Sequence, residues 1–360
     1  MIQQPQENKE EKFRLGITLG DFNGIGAEVI IKTFLDARMF QSCTPIIYGS
    51  SGVISFYRKA LNAMEFNFNT IRSIDRSILR KINVLNCWEE EVKIESGKAT
   101  EASAKYALRA LDAATTDLQA GRLDALVTAP LSKQTVQQIQ PDFTGHTEYL
   151  AGKFKAQEYL MFLVSDNMRV GTVTGHVPLQ QVSSLLTADK IASKIRIMSR
   201  SLVRDFGISK PRIAVLGLNP HAGDGGLIGK EESEIITPAI RKAFDEGAFV
   251  YGPYSADGFF GSGNFSGFDG VLAMYHDQGL IPFKALSFTS GVNYTAGLPV
   301  VRTSPDHGTA FDKAGKNEAS EASFREAVYL AQDIYQHRLL HAQASSNPLA
   351  FGFSKLEADQ

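Results

Sequence analysis

Two hydrophobic periods take turns along this chain. Short, nearly continuous apolar runs at Arg14–Leu19, Thr44–Tyr48 and Leu123–Val127 read as strands buried on both faces. Between them lie helical stretches. Ala102–Ala120 places Ala104, Ala107, Leu108, Leu111 and Leu118 on one stripe, with Gly121 as a stop. Another helix is predicted from about Ile25, and a last one starts near Ser320 as N-cap, with Phe324, Ala327, Val328, Ala331 and Tyr335 on its apolar face. Its periodicity fades after His341, in the AQASSNPLAFG tail. Strands alternating with helices predict an α/β fold with largely parallel sheets. Residues 64–100, around Trp88, show only short apolar patches and mixed charge, and no chemistry is assigned there.

Three apolar runs end in a histidine: VGTVTGH at His176, RIAVLGLNPH at His221 and GVLAMYH at His276. Ligands of open α/β sheets collect beyond the carboxyl ends of strands. Three imidazoles there suit zinc or another borderline divalent ion and leave a coordination position for substrate. His337 and His341 are spaced i, i+4 on the last helix without an HExxH motif and read as solvated surface residues.

Length and charge narrow the classes. At 360 residues, two domains around a cleft are expected. With 37 basic and 39 acidic residues, neither a nucleic-acid backbone nor an anionic membrane is an expected partner. Cys43 and Cys87 are too few for a disulfide framework and read as reduced thiols of a cytoplasmic protein. The polar opening MIQQPQENKEEK lacks the apolar stretch of a signal peptide, and no run reaches membrane-spanning length.

Two glycine-rich loops, GDFNGIGAEV and HAGDGGLIGKEE, miss both the dinucleotide fingerprint and the Walker A pattern, so tight backbone turns explain them equally well. Asp257, Asp277, Lys284, Asn293 and Arg302 stand close in sequence to His276. Carboxylates or a lysine can accept a proton from a metal-bound alcohol, and Lys or Arg can clamp phosphate. Together they suit a small, anionic, hydroxylated substrate.

The ordered set GDFNGIGAEV, TAPLSK, FTGHTEYLA, TGHVPL, LGLNPHAGDGG, YSADGFF, MYHDQGLIPFK and GVNYTAGLPVVRTSPDHGTAFDKAG closely resembles the 4-hydroxythreonine-4-phosphate dehydrogenase family of pyridoxal phosphate biosynthesis, from about residue 14 to 340. The resemblance implies NAD-dependent oxidation of the C3 hydroxyl of 4-phosphooxy-L-threonine. The product, 2-amino-3-oxo-4-phosphooxybutanoate, then decarboxylates to 3-amino-2-oxopropyl phosphate. It implies a divalent metal (Zn, Mg, Co or Mn) on His176, His221 and His276. Substrate contacts are implied at His146, Thr147, Lys284, Asn293 and Arg302, with Lys284, Asp257 and Asp277 as catalytic candidates. NAD, with NADP as an alternative, is expected at His307, Gly308, Thr309 and Asp312. The resemblance further implies a two-domain fold of the isocitrate and isopropylmalate dehydrogenase type. Residues 1–130 with 300–360 would form one domain and 131–299 the other. A homodimer with metal ligands drawn from both chains is also implied. Alternatives are a dehydrogenase of D-threonate or D-erythronate 4-phosphate, or a metal-dependent phosphatase or phosphotransferase. The family's first loop commonly carries Pro, Ala and Pro where this chain has Phe22, Asn23 and Ala27, and Glu where it has Asp224.

Overall fold

The computed structural model describes residues 13–287 and 289–347, so the polar opening segment and the end of the tail lie outside the described residues. Among the described residues, twelve strands form one sheet. In chain order they are β1 (Arg14–Thr18), β2 (Thr44–Gly49), β3 (Asn69–Ile71), β4 (Asn83–Asn86), β5 (Ala125–Thr128) and β6 (Leu160–Val164). They continue as β7 (Arg169–Thr172), β8 (Arg212–Leu216), β9 (Phe249–Tyr254), β10 (Gly270–Ala273), β11 (Val292–Ala296) and β12 (Val301–Pro305). The spatial order is β3-β4-β2-β1-β5-β12-β11-β6-β7-β10-β8-β9. Pairing is parallel in both outer blocks and antiparallel where β11 meets β12 and β6 and where β6 meets β7. The α/β architecture expected from the alternating periods is therefore present. Among the described residues, no helix is long and apolar enough to cross a membrane.

The predicted elements are found with small shifts at their ends. The helix read from Ala102 spans Glu101–Gln119, started by a capping box in which Thr100 and Ser103 each hold the other's backbone. The last helix spans Ala322–Ser345, so its N-cap is Glu321 and it outlasts the apolar stripe. Ser320 still accepts a hydrogen bond from the Ala322 N–H at 3.3 Å. Residues 64–100 supply the edge strands β3 and β4 and a strap. Glu95 N–H and Gly97 N–H donate to Asn23 Oδ1 and O, each at 2.8 Å, fastening that strap to the first glycine-rich loop. Packing explains the loop's glycines: a Cβ on Gly20, whose φ is +69°, would stand 2.3 Å from the Pro130 carbonyl. Burial pushes the Cys43 thiol up to about 12, which disfavours the reactive thiolate.

His337 corrects the sequence reading. It is half-buried, and its Nδ1 lies 3.0 Å from the Asp205 carbonyl. Asp205 is the hub of this region, with its carboxylate fully buried. It accepts hydrogen bonds from Ser201 Oγ at 2.6 Å, Arg204 Nε at 2.8 Å, Arg338 Nε at 2.8 Å and Tyr294 Oη at 2.5 Å. The cluster ties the helices Ala188–Arg204 and Ala322–Ser345 to β11. Burial alone would raise the Asp205 pKa, but the Arg338 charge and the bonds from both arginines bring it below the ordinary carboxylate value. Its contribution to stability is therefore complete above about pH 4 and is lost as pH falls through the lowered folded value. Asp205→Ala, which strands a buried arginine, should cost about 3 kcal/mol in urea unfolding at pH 7, with the difference from wild type shrinking below pH 4.

Candidate active site

The antiparallel middle of the sheet forms the floor of a cavity of about 540 Å³. Asn293 on β11 pairs with Ser304 on β12 and with Leu163 on β6, so the three side chains share one face. Arg302 and Met161, each two residues along, and Thr128 at the end of β5 complete that face, and all six line the cavity. The expectation of a site at strand ends is thus only part of the geometry: the floor is sheet face, and the loops after β7 and β10 form a wall.

Arg302 dominates the floor. It is 3 % exposed. Its Nε and Nη2 donate to Thr128 Oγ1 at 3.1 and 2.6 Å, and its Nη1 donates to Thr295 Oγ1 at 3.4 Å. No carboxylate stands at ion-pair distance among the described residues. Burial lowers its pKa to about 10, so it is charged at neutral pH. A buried guanidinium without a counter-ion costs several kcal/mol, and an entering oxyanion offsets that cost through two parallel hydrogen bonds. The helix His146–Lys153 points its uncapped N-terminus at the same space, and Thr147 Oγ1 reaches Thr295 Oγ1 at 3.2 Å. Burial, with Arg302 and Lys133 nearby, holds His146 well below the ordinary imidazole pKa, so it is neutral.

Local pairing explains how two of the strand-end histidines meet. Beyond β7 and β10, Val173 N–H donates to the Ala273 carbonyl at 2.8 Å, and Thr174 N–H to the Met274 carbonyl at 3.1 Å. The two tails run on side by side and bring the His176 and His276 rings to 5.2 Å between centroids at the cavity wall. His276 Nδ1 lies 2.8 Å from Asp277 Oδ1, which leaves its Nε2 free. Burial, then Lys133 and His276, lower the His176 pKa and favour the neutral, ligating form.

His221 is elsewhere. Although β8 lies next to β10, the chain after it turns through six consecutive residues of positive φ, His221 to Gly226. His221 is exposed there and does not line the cavity. Its loop is anchored by buried Glu232, which accepts from Leu218 N–H at 2.8 Å, Asn219 N–H at 2.7 Å and Asn219 Nδ2 at 3.0 Å. Asp257 is within electrostatic reach of His221 and likewise outside the cavity. Among the described residues, no three His, Cys, Asp or Glu side chains of one chain converge on a metal position.

The cavity lining also includes Lys284, on the helix His276–Ser287 and 3.5 Å from Asp306 Oδ2, and His307 with Gly308. Burial raises the Asp306 pKa against the opposing effect of Lys284. His307 Nε2 and Asn293 Oδ1 are buried without hydrogen-bond partners. Thr309 is tied by its carbonyl to the Ile25 N–H at 3.1 Å, and Asp312 is exposed outside the lining. Lys133, Glu148, Lys190, Lys194 and Asp306 also line the cavity and were not singled out from sequence.

A model of the family described as pyridoxal phosphate biosynthetic protein PdxA matches residues 41–331. The chain belongs to this family. Within the PdxA family, it is 51% identical over 342 residues to 4-hydroxythreonine-4-phosphate dehydrogenase of Bacteroides thetaiotaomicron, covering 95% of this chain and 94% of that one. The crystal structure of 4-hydroxythreonine-4-phosphate dehydrogenase from Klebsiella pneumoniae superposes with a TM-score of 0.77 at 34% identity, covering 91% of this chain and 99% of that one. A terephthalate 1,2-cis-dihydrodioldehydrogenase from Burkholderia xenovorans LB400 is a more distant neighbour, with a TM-score of 0.60 at 26% identity over 89% of this chain and 98% of that one. The cavity, its histidine pair and the His221 loop all fall inside the PdxA-matched region. Glu232→Ala should cost about 2 kcal/mol, because three donors lose one buried acceptor; an unfolding midpoint unchanged from wild type would contradict the anchoring role.

Proposed function

We propose that the chain is a cytoplasmic, NAD-dependent 4-hydroxythreonine-4-phosphate dehydrogenase that oxidises the C3 hydroxyl of 4-phosphooxy-L-threonine in pyridoxal phosphate biosynthesis. The observation that carries this reading is Arg302, buried and charged with no carboxylate at ion-pair distance among the described residues, in one cavity with the adjacent His176 and His276 rings. Arg302 and the helix start at His146 and Thr147 would bind an anionic end of the substrate. Lys284 and Asp306 would supply a proton acceptor in the same cavity, and the raised Asp306 pKa makes that carboxylate a better base than an exposed one.

The donor set fits a divalent metal in part within one chain: His176 is neutral, and His276 is oriented by Asp277. His221 of a second copy would complete it, and such an ion would acidify the substrate hydroxyl and polarise the ketone formed from it. His221 and Asp257 stand near one another outside the cavity, so a second copy would deliver both. Exposed Leu179, Leu227, Ile228 and Ile281 give that copy apolar surface to cover. The orphaned His307 Nε2 fits a polar cofactor group beside Gly308, with Thr309 and Asp312 further along the same loop. These residues would hold a nicotinamide cofactor, which when bound would supply the hydride acceptor for oxidation at C3. The proposed domain division, 1–130 with 300–360 and 131–299, follows the sheet, whose order places β1–β5 with β12 on one side and β6–β11 on the other.

Adding 4-phosphooxy-L-threonine and NAD should raise absorbance at the NADH band, and exhaustive chelation should abolish the rise. Phosphate release without NADH would instead indicate a phosphatase or phosphotransferase. The shared metal site predicts subunit complementation. His176→Ala and His221→Ala should each be inactive, and after subunit exchange their mixture should recover roughly a quarter of wild-type activity, since half the dimers carry one intact site. No recovery despite demonstrated exchange would place all three ligands in one chain.

A further inference from the structure

The cavity's charge is lopsided. Lys133, Lys190, Lys194, Lys284 and Arg302 line it against two acids, Glu148 and Asp306. Asp306 is committed to Lys284. Glu148, half-buried in the first turn of the helix His146–Lys153, has no hydrogen bond or ion pair to its carboxylate among the described residues. Gly145 makes room for it: a Cβ there would stand 2.8 Å from Glu148 Oε2 and 3.2 Å from Lys133 Nζ. The carboxylate and the ammonium thus flank a residue with no side chain without closing on each other. Glu148 is within electrostatic reach of Arg302, His176 and Tyr159, so it stands among the groups that would surround a ligand.

A free carboxylate weakens such a pocket for any ligand that carries only phosphate, carboxylate and hydroxyl groups, because like charges repel. It is useful when the ligand also carries a positive group. A second unpaired acceptor, Asn293 Oδ1, is buried in the same cavity. A primary ammonium offers three N–H donors, enough for both acceptors, whereas a hydroxyl in its place offers one and no charge.

We propose that Glu148 recognises the ammonium group of the substrate and thereby sets the preference for an amino-acid phosphate over the hydroxy-acid phosphate of the same carbon skeleton. This rests on the dehydrogenase reading above and extends it to the one substrate group that Arg302 and the lysines cannot read. Glu148→Gln keeps shape and one acceptor but removes the charge.

The test is kcat/KM for 4-phosphooxy-L-threonine and for D-threonate 4-phosphate in the wild-type and Glu148→Gln enzymes. The amino-acid phosphate should lose about 100-fold, with the hydroxy-acid phosphate unchanged or improved. Equal losses on both substrates, or no loss on the amino-acid phosphate, would overturn the proposal. Wild-type enzyme that reduces NAD with D-threonate 4-phosphate alone would instead overturn the underlying functional reading. Should Glu148→Gln fail to fold, Glu148→Asp, which keeps the charge but shortens its reach, should show the same selective loss in smaller measure. An equal loss on both substrates would count against the proposal there too.

Discussion

A guanidinium sealed into the centre of a sheet, with threonine hydroxyls as its protein acceptors, is the constraint around which this molecule is arranged. Folding takes Arg302 out of water with no carboxylate at ion-pair distance among the described residues, a desolvation cost that an anionic ligand would offset. That arrangement depends on the register of the middle of the sheet. Strands β5, β12 and β11 must bring Thr128, Arg302 and Thr295 to one face in one register, and the Asp205 cluster clamps β11 from the other face through Tyr294. A register slip by one residue would turn the arginine out of the cavity.

Above this floor the site is divided by chemistry. Four lysines and Arg302 line the cavity, the His176 and His276 rings meet at its wall, and the acids are few and separately placed. The histidines owe their meeting to the paired tails of β7 and β10, in which Thr174 also donates its hydroxyl to the Met274 carbonyl at 2.8 Å. His221 begins from the neighbouring strand and is carried away by a run of left-handed residues, a backbone conformation that costs free energy and is over-determined here by Glu232 and its three donors. This anchored loop holds His221 outside the cavity that His176 and His276 line.

Much of this was legible in the sequence, for identifiable reasons. Strands buried on both faces are continuous apolar runs, and parallel strands put their following loops at one end, so three terminal histidines stood out. Strand order left no such mark, and nothing in the residues says that β7 and β10 are neighbours while the loop after β8 turns outward. The 64–100 segment was opaque because short edge strands and a strap held by Asn23 need no long apolar period. His337 was misread because its surroundings come from Asp205, distant in sequence. Glu148 and Asp306 went unnoticed for a related reason. What distinguishes the first is the absence of a partner, and the second its burial beside Lys284, and both are properties of space.

Arg302 carries a buried charge with no ion-pair partner among the described residues, which an anionic ligand would meet. Calorimetric titration of inorganic phosphate into wild-type and Arg302→Met protein, with the unfolding midpoint of each ligand-free form, tests it directly. Saturable phosphate binding is expected in the wild type and its loss in Arg302→Met, with the ligand-free variant at least as stable as the parent because a buried charge has been replaced by an apolar side chain of similar reach. Phosphate binding that survives the substitution, or a variant that unfolds well before the wild type, would contradict it.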